Sequence, residues 1–289
     1  MAIERRKLEE LDLLDNFLFG MMVMHPEYGD KFSRQLLSLV LNRKIGKLLV
    51  IPQKVLYGSE TDEHGAILDV YLEEEDGEGE TTLYDVEAEQ DIHAAAVKAI
   101  PKRMRFYRAK IDGQGLKSGE NYGRFRKLIM IMITPFDPFG LGRMRYTVKN
   151  MCEEAPEMPY DDGTTMIFLN TKGKPDDESK ELYQFLRYLE CSKQENAVTE
   201  DLQRLHGMVE RIKHDKEVSV RFMRLWEDEE RIREKAHIEG VEEGRTLERE
   251  NTERERARAE EAKARAEEAE RKCAELQAII DGMKAKAEP

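Results

Sequence analysis

The chain has 289 residues, enough for one packed domain with an appendage. Charged residues make up 37% and hydrophobic residues 40%; the charged share is well above the ~25% of an ordinary globular domain, so a long solvated segment is expected. A net charge of −13 excludes a uniformly basic nucleic-acid-binding surface but leaves room for a local basic cleft.

Cys152, Cys191 and Cys273 are widely separated, show no metal-ligand spacing and point to a reducing compartment. The start, Met1-Ala2-Ile3-Glu4-Arg5-Arg6-Lys7, leads into charge without an apolar stretch, so no signal peptide is expected. No run of about 18 apolar residues occurs, so no membrane partner is expected. These features together predict a soluble, cytoplasmic protein.

In chain order, a first helix is expected over 8–24, where Leu11, Leu14, Phe17, Leu18 and Met21 share a face. A second is expected over 30–42, with Phe32, Leu36, Leu39 and Val40 inward. Pro52 and Gly58 punctuate the next stretch. Strand patterns occupy 66–73 and 81–88, joined by the acidic loop Glu74-Glu75-Asp76-Gly77-Glu78-Gly79. A helix should fill roughly 91–112, with Ala95, Ile100, Met104 and Tyr107 inward and Pro101 delaying or kinking it.

Leu128-Ile129-Met130-Ile131-Met132-Ile133 is too short for a typical helix and fits a strand covered on both faces. Met166-Ile167-Phe168-Leu169-Asn170 reads the same way, and Leu182, Phe185, Leu186 and Leu189 mark a helix beyond Gly173 and Pro175. The pattern predicts a mixed α/β core over 1–195. A helical extension over 196–227 packs on it through Leu202, Leu205, Val209, Ile212, Phe222 and Trp226. From 228 to 289 Glu, Arg, Lys and Ala dominate. Ala259, Ala266, Cys273 and Ile280 recur at one heptad position, Ala262, Ala269, Leu276 and Met283 at the other. That is the a/d seam of a coiled coil, favouring a homo-oligomer such as a dimer. A single solvated helix held by Glu–Lys/Arg pairs is the other reading.

Asp69 lies in Ile67-Leu68-Asp69-Val70-Tyr71, and Glu87 follows it after eighteen positions in Leu83-Tyr84-Asp85-Val86-Glu87-Ala88-Glu89-Gln90. Two adjacent strands with carboxylates at that spacing can bring both groups to one divalent cation. Glu87 and Glu89, two apart in a strand, share a face. Carboxylate oxygens suit Mg²⁺, with Mn²⁺ as the other option, and such a site hydrolyses phosphodiesters. An acidic hairpin with its polar face in solvent has the same pattern.

Lys102-Arg103-Met104-Arg105-Phe106-Tyr107-Arg108-Ala109-Lys110 carries five basic residues in nine, able to grip a DNA backbone beside that site. An amphipathic helix with a solvated basic face looks alike. Arg124, Arg126, Lys127, Arg143 and Arg145 add local positive charge. The six histidines show no ligand spacing, and nucleotide-fold and serine-hydrolase motifs do not occur.

At these residues the chain resembles the Rpn (YhgA-like) recombination-promoting nucleases, a family also labelled transposases, within the PD-(D/E)XK superfamily. The likeness runs from about Leu14 to Leu189. It rests on Leu14-Asp15-Asn16-Phe17-Leu18-Phe19, Ile67-Leu68-Asp69-Val70-Tyr71 and Tyr84-Asp85-Val86-Glu87. It continues through Pro101-Lys102-Arg103-Met104-Arg105-Phe106-Tyr107, Gly119-Glu120-Asn121-Tyr122, Phe136-Asp137-Pro138-Phe139-Gly140 and Ile167-Phe168-Leu169-Asn170-Thr171.

The resemblance implies a restriction-endonuclease-like core, a central mixed sheet flanked by helices, and metal-dependent DNA cleavage. It makes Asp69 and Glu87 the metal ligands and Asp15 an auxiliary acidic residue. The third motif position is Lys in the superfamily and commonly Gln in this branch; here it is Glu89, with Gln90 adjacent. Glu89 brings no positive charge. It can hold a second metal or act as a base, or a bulge can bring Gln90 into place. The expected function is a Mg²⁺-dependent DNA endonuclease, with Lys102, Arg103 and Arg105 on phosphate. The alternatives are a DNA-binding protein that has lost catalysis and an oligomeric coiled-coil scaffold.

Overall fold

The computed structural model describes residues 6–56, 66–75, 79–90, 92–116, 119–175 and 180–287, of which 52–53, 55–56, 66–69 and 280–287 are described by their backbone alone. Met1–Phe222 forms one compact unit and Met223–Pro289 a second. The first is built on a six-stranded sheet of β1 (Lys47–Leu56), β2 (Ala66–Glu75), β3 (Thr81–Ala88), β4 (Lys127–Thr134), β5 (Arg145–Val148) and β6 (Thr164–Asn170). Their order is β1-β2-β3-β4-β6-β5. The first three strands form an antiparallel meander; β3, β4 and β6 run parallel, and β5 lies antiparallel at the far edge.

Helices α1 (Asn16–Met24), α2 (Gly29–Leu41), α4 (Lys180–Glu190) and α5 (Glu200–Lys213) cover one face, and α3 (Ala94–Gly113) covers the other. Strand alternation sorts the side chains between two cores. Tyr84, Val86 and Ala88 of β3 join the larger core, with Leu18, Phe32, Phe185 and Val209 from the four helices. Leu83 turns the other way and joins Tyr71, Met130 and Met132 beneath Ile100, Met104 and Ile111 of α3. One face is therefore thickly covered, the other by a single helix. The site elements lie on the thinly covered face.

Several expectations need correction. The first helix does not span 8–24: Leu8–Glu10 is a short 3-10 turn, and α1 begins only after Asp15, whose Oδ1 accepts from the Phe17 N–H at 3.1 Å. Pro52 lies inside β1 rather than ending a segment, because β1 is an edge strand and a proline there removes no essential ladder bond. The short edge strand β5 had no apolar run to announce it. Pro101 stands within a continuous α3. The extension past residue 196 breaks at His214–Asp215. Asp215 Oδ1 there accepts from the N–H groups of Glu217 and Val218 at 2.7 and 3.0 Å, starting α6 (Lys216–Ala287).

Leu202, Leu205, Val209 and Ile212 of α5 are buried in the larger core, and Phe222 packs on Phe17 with ring centroids 5.1 Å apart. The second unit is the continuation of α6, laced by pairs such as Glu261–Arg265 at 2.5 Å and Glu268–Lys272 at 2.6 Å. Its Ile238, Val241, Cys273 and Leu276 are exposed. Among the described residues, no helix is long and apolar enough to cross a membrane.

Candidate active site

The antiparallel ladder pairs Val70 with Val86 and Tyr71 with Asp85. Asp69 directly precedes Val70 in β2 and Glu87 directly follows Val86 in β3, so both adjoin the last pair of that ladder. The side chain of Asp69 lies outside the described residues. On the other flank Glu87 pairs with Met132 of β4. Glu87 sits at the C-terminal end of a parallel strand, where open α/β sheets place their ligands.

Asp85 and Glu87 share the α3 face and are 0% and 4% exposed. Burying two carboxylates two residues apart is costly unless positive charge balances them. Burial first, and the charges of Glu73 and Asp85 after it, push the Tyr71 hydroxyl up to about 12 despite the opposing Arg126. The face carries cations as well as acids, with Arg126 on Glu73 and Arg103 on Glu89. Asp85 is its most buried carboxylate. The sequence left Asp85 in a half-exposed pattern because nothing local shows that α3 covers it.

The β3–β4 ladder runs residue for residue from Thr82↔Lys127 to Ala88↔Ile133, and the Glu89 N–H extends it by donating to the Ile133 carbonyl at 2.9 Å. No bulge interrupts the ladder, so Gln90 is not carried into position 89 and stands exposed beyond the strand. The Glu89 carboxylate accepts from Arg103 Nη1 at 2.5 Å. Arg103 Nη2 lies 3.9 Å from the Met132 sulfur, beside Glu87 in the ladder. Burial alone lowers the Arg103 pKa, but the Glu89 bond and charge, with Tyr107 and Glu87, hold it above its ordinary value.

The basic helix face divides. Lys102 and Arg105 are exposed. Arg103 turns toward the sheet, and Arg108 is held by Asp112 at 3.2 Å and Asp162 at 3.0 Å. Elsewhere Arg126 pairs with Glu73 at 3.4 Å, and Arg145 donates to the Val40 carbonyl at 2.7 Å. Asp15 caps α1 and lies 3.5 Å from Arg6. Beyond the C-terminal end of β4, Asp137 ties the next loop by accepting from the N–H groups of Phe139 and Gly142 and from the Tyr146 hydroxyl.

Carboxylate oxygens, the donors that Asp69 and Glu87 carry, are of the hard type that suits Mg²⁺ or Mn²⁺. Among the described residues, no three His, Cys, Asp or Glu side chains gather as a metal site. No protein-family model, no curated protein and no solved structure matches the chain.

Proposed function

We propose that this chain is a metal-dependent DNA endonuclease with a restriction-endonuclease-like core, of the recombination-promoting nuclease type that its motif segments resemble. One observation carries the reading: Glu87, a carboxylate 4% exposed at the end of a parallel strand, directly follows Val86, whose β2 partner Val70 directly follows Asp69. A buried acid at a strand end, on the thinly covered face of a sheet, costs stability and is suited to binding a cation.

In this reading Asp69 and Glu87 hold Mg²⁺, or Mn²⁺, which when bound lowers the pKa of a coordinated water and neutralises phosphate charge. Hydrolysis transfers the water oxygen to phosphorus, breaks the bond from phosphorus to one sugar oxygen, and leaves a proton on that departing oxygen. Lys102 and Arg105 on the outer side of α3 contact the DNA backbone and set its register. Pairing of two chains through 228–289 brings two sites to one duplex.

Nicking of supercoiled plasmid with Mg²⁺, with Mn²⁺ and with EDTA, beside the Asp69→Ala variant, tests the proposal. Metal-dependent nicking lost in the variant, with DNA binding retained, supports it; a fully active Asp69→Ala protein overturns the site. Glu89 at the third motif position favours a second reading, a protein that binds DNA without cutting it. That protein shifts DNA in a gel with or without Mg²⁺ and never nicks it.

A further inference from the structure

We infer that the cavity at the C-terminal end of α3 seats an unpaired cytosine of a DNA strand, a base subsite near the candidate metal site. The inference rests on the nuclease reading and deepens it, naming DNA with an unpaired segment as the substrate class. The cavity holds about 140 Å³ and is walled by β1, β2, β3, the end of α3 and the chain beyond it. That is room for a single ring, since an apolar cavity of about 150 Å³ takes one benzene. Tyr71 stands two residues from Asp69 in β2, about 7 Å along the strand, and Leu83 stands four from Glu87 in β3.

Tyr71, Leu83 and Phe125 give the cavity its apolar and aromatic walls. The Phe125 ring lies against Gly115, where a Cβ would stand 3.2 Å from it, so a larger residue at 115 would push that wall aside. The charged lining sums to zero, Lys54 and Arg126 against Glu73 and Asp112. A phosphate or carboxylate would upset that balance; a neutral ring with donors and acceptors on its edge would not. Lys54 Nζ lies 3.5 Å from the centre of the Tyr71 ring and makes no ion pair among the described residues, so its N–H groups are able to donate. Burial, only partly offset by Glu73, lowers its pKa. Asp112 spends Oδ2 on Arg108, and its Oδ1 has no hydrogen bond among the described residues. An ammonium donor and a carboxylate acceptor match the edge of cytosine, whose exocyclic amine donates and whose ring nitrogen and carbonyl accept. Thymine has no such amine, and a purine has a second ring. Phe125 follows directly on the 3-10 turn Tyr122–Arg124, where Tyr122 and Arg124 are exposed; aromatic and cationic side chains of this kind hold the flanking nucleotides of a single strand. A base inside a duplex has to leave its stack to enter, so the site selects unpaired strand.

The test compares the wild type with Lys54→Met, Phe125→Ala and Gly115→Ala, each checked for folding by circular dichroism and melting. Binding of short labelled single strands is followed by fluorescence anisotropy in EDTA, using an all-dT strand and the same strand with a single central dC. Plasmid nicking by the wild type is measured separately with Mg²⁺. Wild type should bind the dC strand about tenfold more tightly than the dT strand, the discrimination expected of a good contact to a base edge. Lys54→Met and Phe125→Ala should each bring the ratio close to unity, and Gly115→Ala should lower it.

A wild type that binds neither strand, or both alike, overturns the inference, as does a dC preference that survives in the folded variants. If Lys54→Met weakens both strands equally, Lys54 is a general phosphate contact and the inference is overturned as well. If Lys54→Met does not fold, Phe125→Ala and Gly115→Ala decide by the same ratio. Failure of the nuclease reading shows separately. A wild type that prefers dC in EDTA yet nicks nothing with Mg²⁺ keeps the base site and removes the nuclease; one that nicks without a preference keeps the nuclease and removes the base site.

Discussion

Arg43 grips Glu74 with both ends of its guanidinium, Nη1 to Oε1 at 2.8 Å and Nη2 to Oε2 at 2.6 Å. The Gly46 N–H donates to Oε1 at 2.5 Å, and the Tyr84 hydroxyl donates to Oε2. The cluster ties the end of α2 to β2 and β3. Burial alone would raise the Glu74 pKa, yet Arg43, Tyr84 and Gly46 outweigh it and draw the carboxyl down to about 2.

A folded-state pKa below the unfolded one contributes stability that is present above about pH 4.5 and lost as pH falls toward 2. At neutral pH the contribution is on the order of 2–3 kcal/mol. Urea unfolding at a series of pH values should show wild type losing stability over that window. Glu74→Gln should start lower at pH 7 and change less. Parallel curves for the two proteins would assign the acid sensitivity to other groups.

Magnesium should stabilise the wild-type fold. Binding to the native state alone, at tenfold over Kd, contributes about 1.4 kcal/mol. Mg²⁺ should therefore raise the melting temperature of wild type by a few degrees. It should leave Glu87→Gln and Asp69→Ala nearly unmoved. An equal upward shift in all three proteins would place the cation elsewhere.

The loop after β4 should depend on Asp137. Phe139 N–H, Gly142 N–H and the Tyr146 hydroxyl all donate to this carboxylate, and together they hold its pKa below the ordinary value against the effect of burial. Phe139 packs edge-on against Phe168 and Tyr146, with ring centroids 5.0 and 4.9 Å away. Asp137→Ala should cost roughly 2 kcal/mol by leaving these donors without their acceptor. Limited proteolysis should then cut between 136 and 143. Gly142→Ala should act in the same direction, because residue 142 has φ +72°, where a Cβ is strained.

If the tail pairs two chains in parallel and in register, Cys273 at its a position meets Cys273 of the second chain at disulfide distance. Mild oxidation should yield a covalent dimer that Cys273→Ser abolishes, while Cys152→Ser and Cys191→Ser leave it intact. Oxidation of dilute wild-type protein without such a dimer, together with a monomer mass in solution, would favour a single solvated helix.

Much of the sheet was legible in the sequence. The alternation in Leu83-Tyr84-Asp85-Val86-Glu87-Ala88 marks β3, and the continuous apolar run 128–133 marks a strand covered on both faces, because each pattern is imposed by its own backbone period. The spacing of Asp69 and Glu87 pointed to neighbouring strands; β2 and β3 are neighbours, and the two residues adjoin their Val70↔Val86 pair. The start of α1 was misread because the apolar residues Leu11 and Leu14 are buried without being helical. Leu14 N–H donates to the Leu189 carbonyl at 2.9 Å, and Leu13 N–H to Ser192 Oγ at 2.7 Å, so the end of α4 holds that segment.

The sequence by itself determined which residues alternate, which are apolar enough to be covered, and that the tail carries a heptad seam. These are properties of short stretches of chain. Only the tertiary structure decided that Pro52 lies in an edge strand, that Asp85 is sealed beneath a helix, and that Glu89 is partnered by Arg103. Each depends on how α3 docks and where β1 falls in the sheet order. Long-range packing selects one cation from several equally basic neighbours, and local spacing carries no record of that choice.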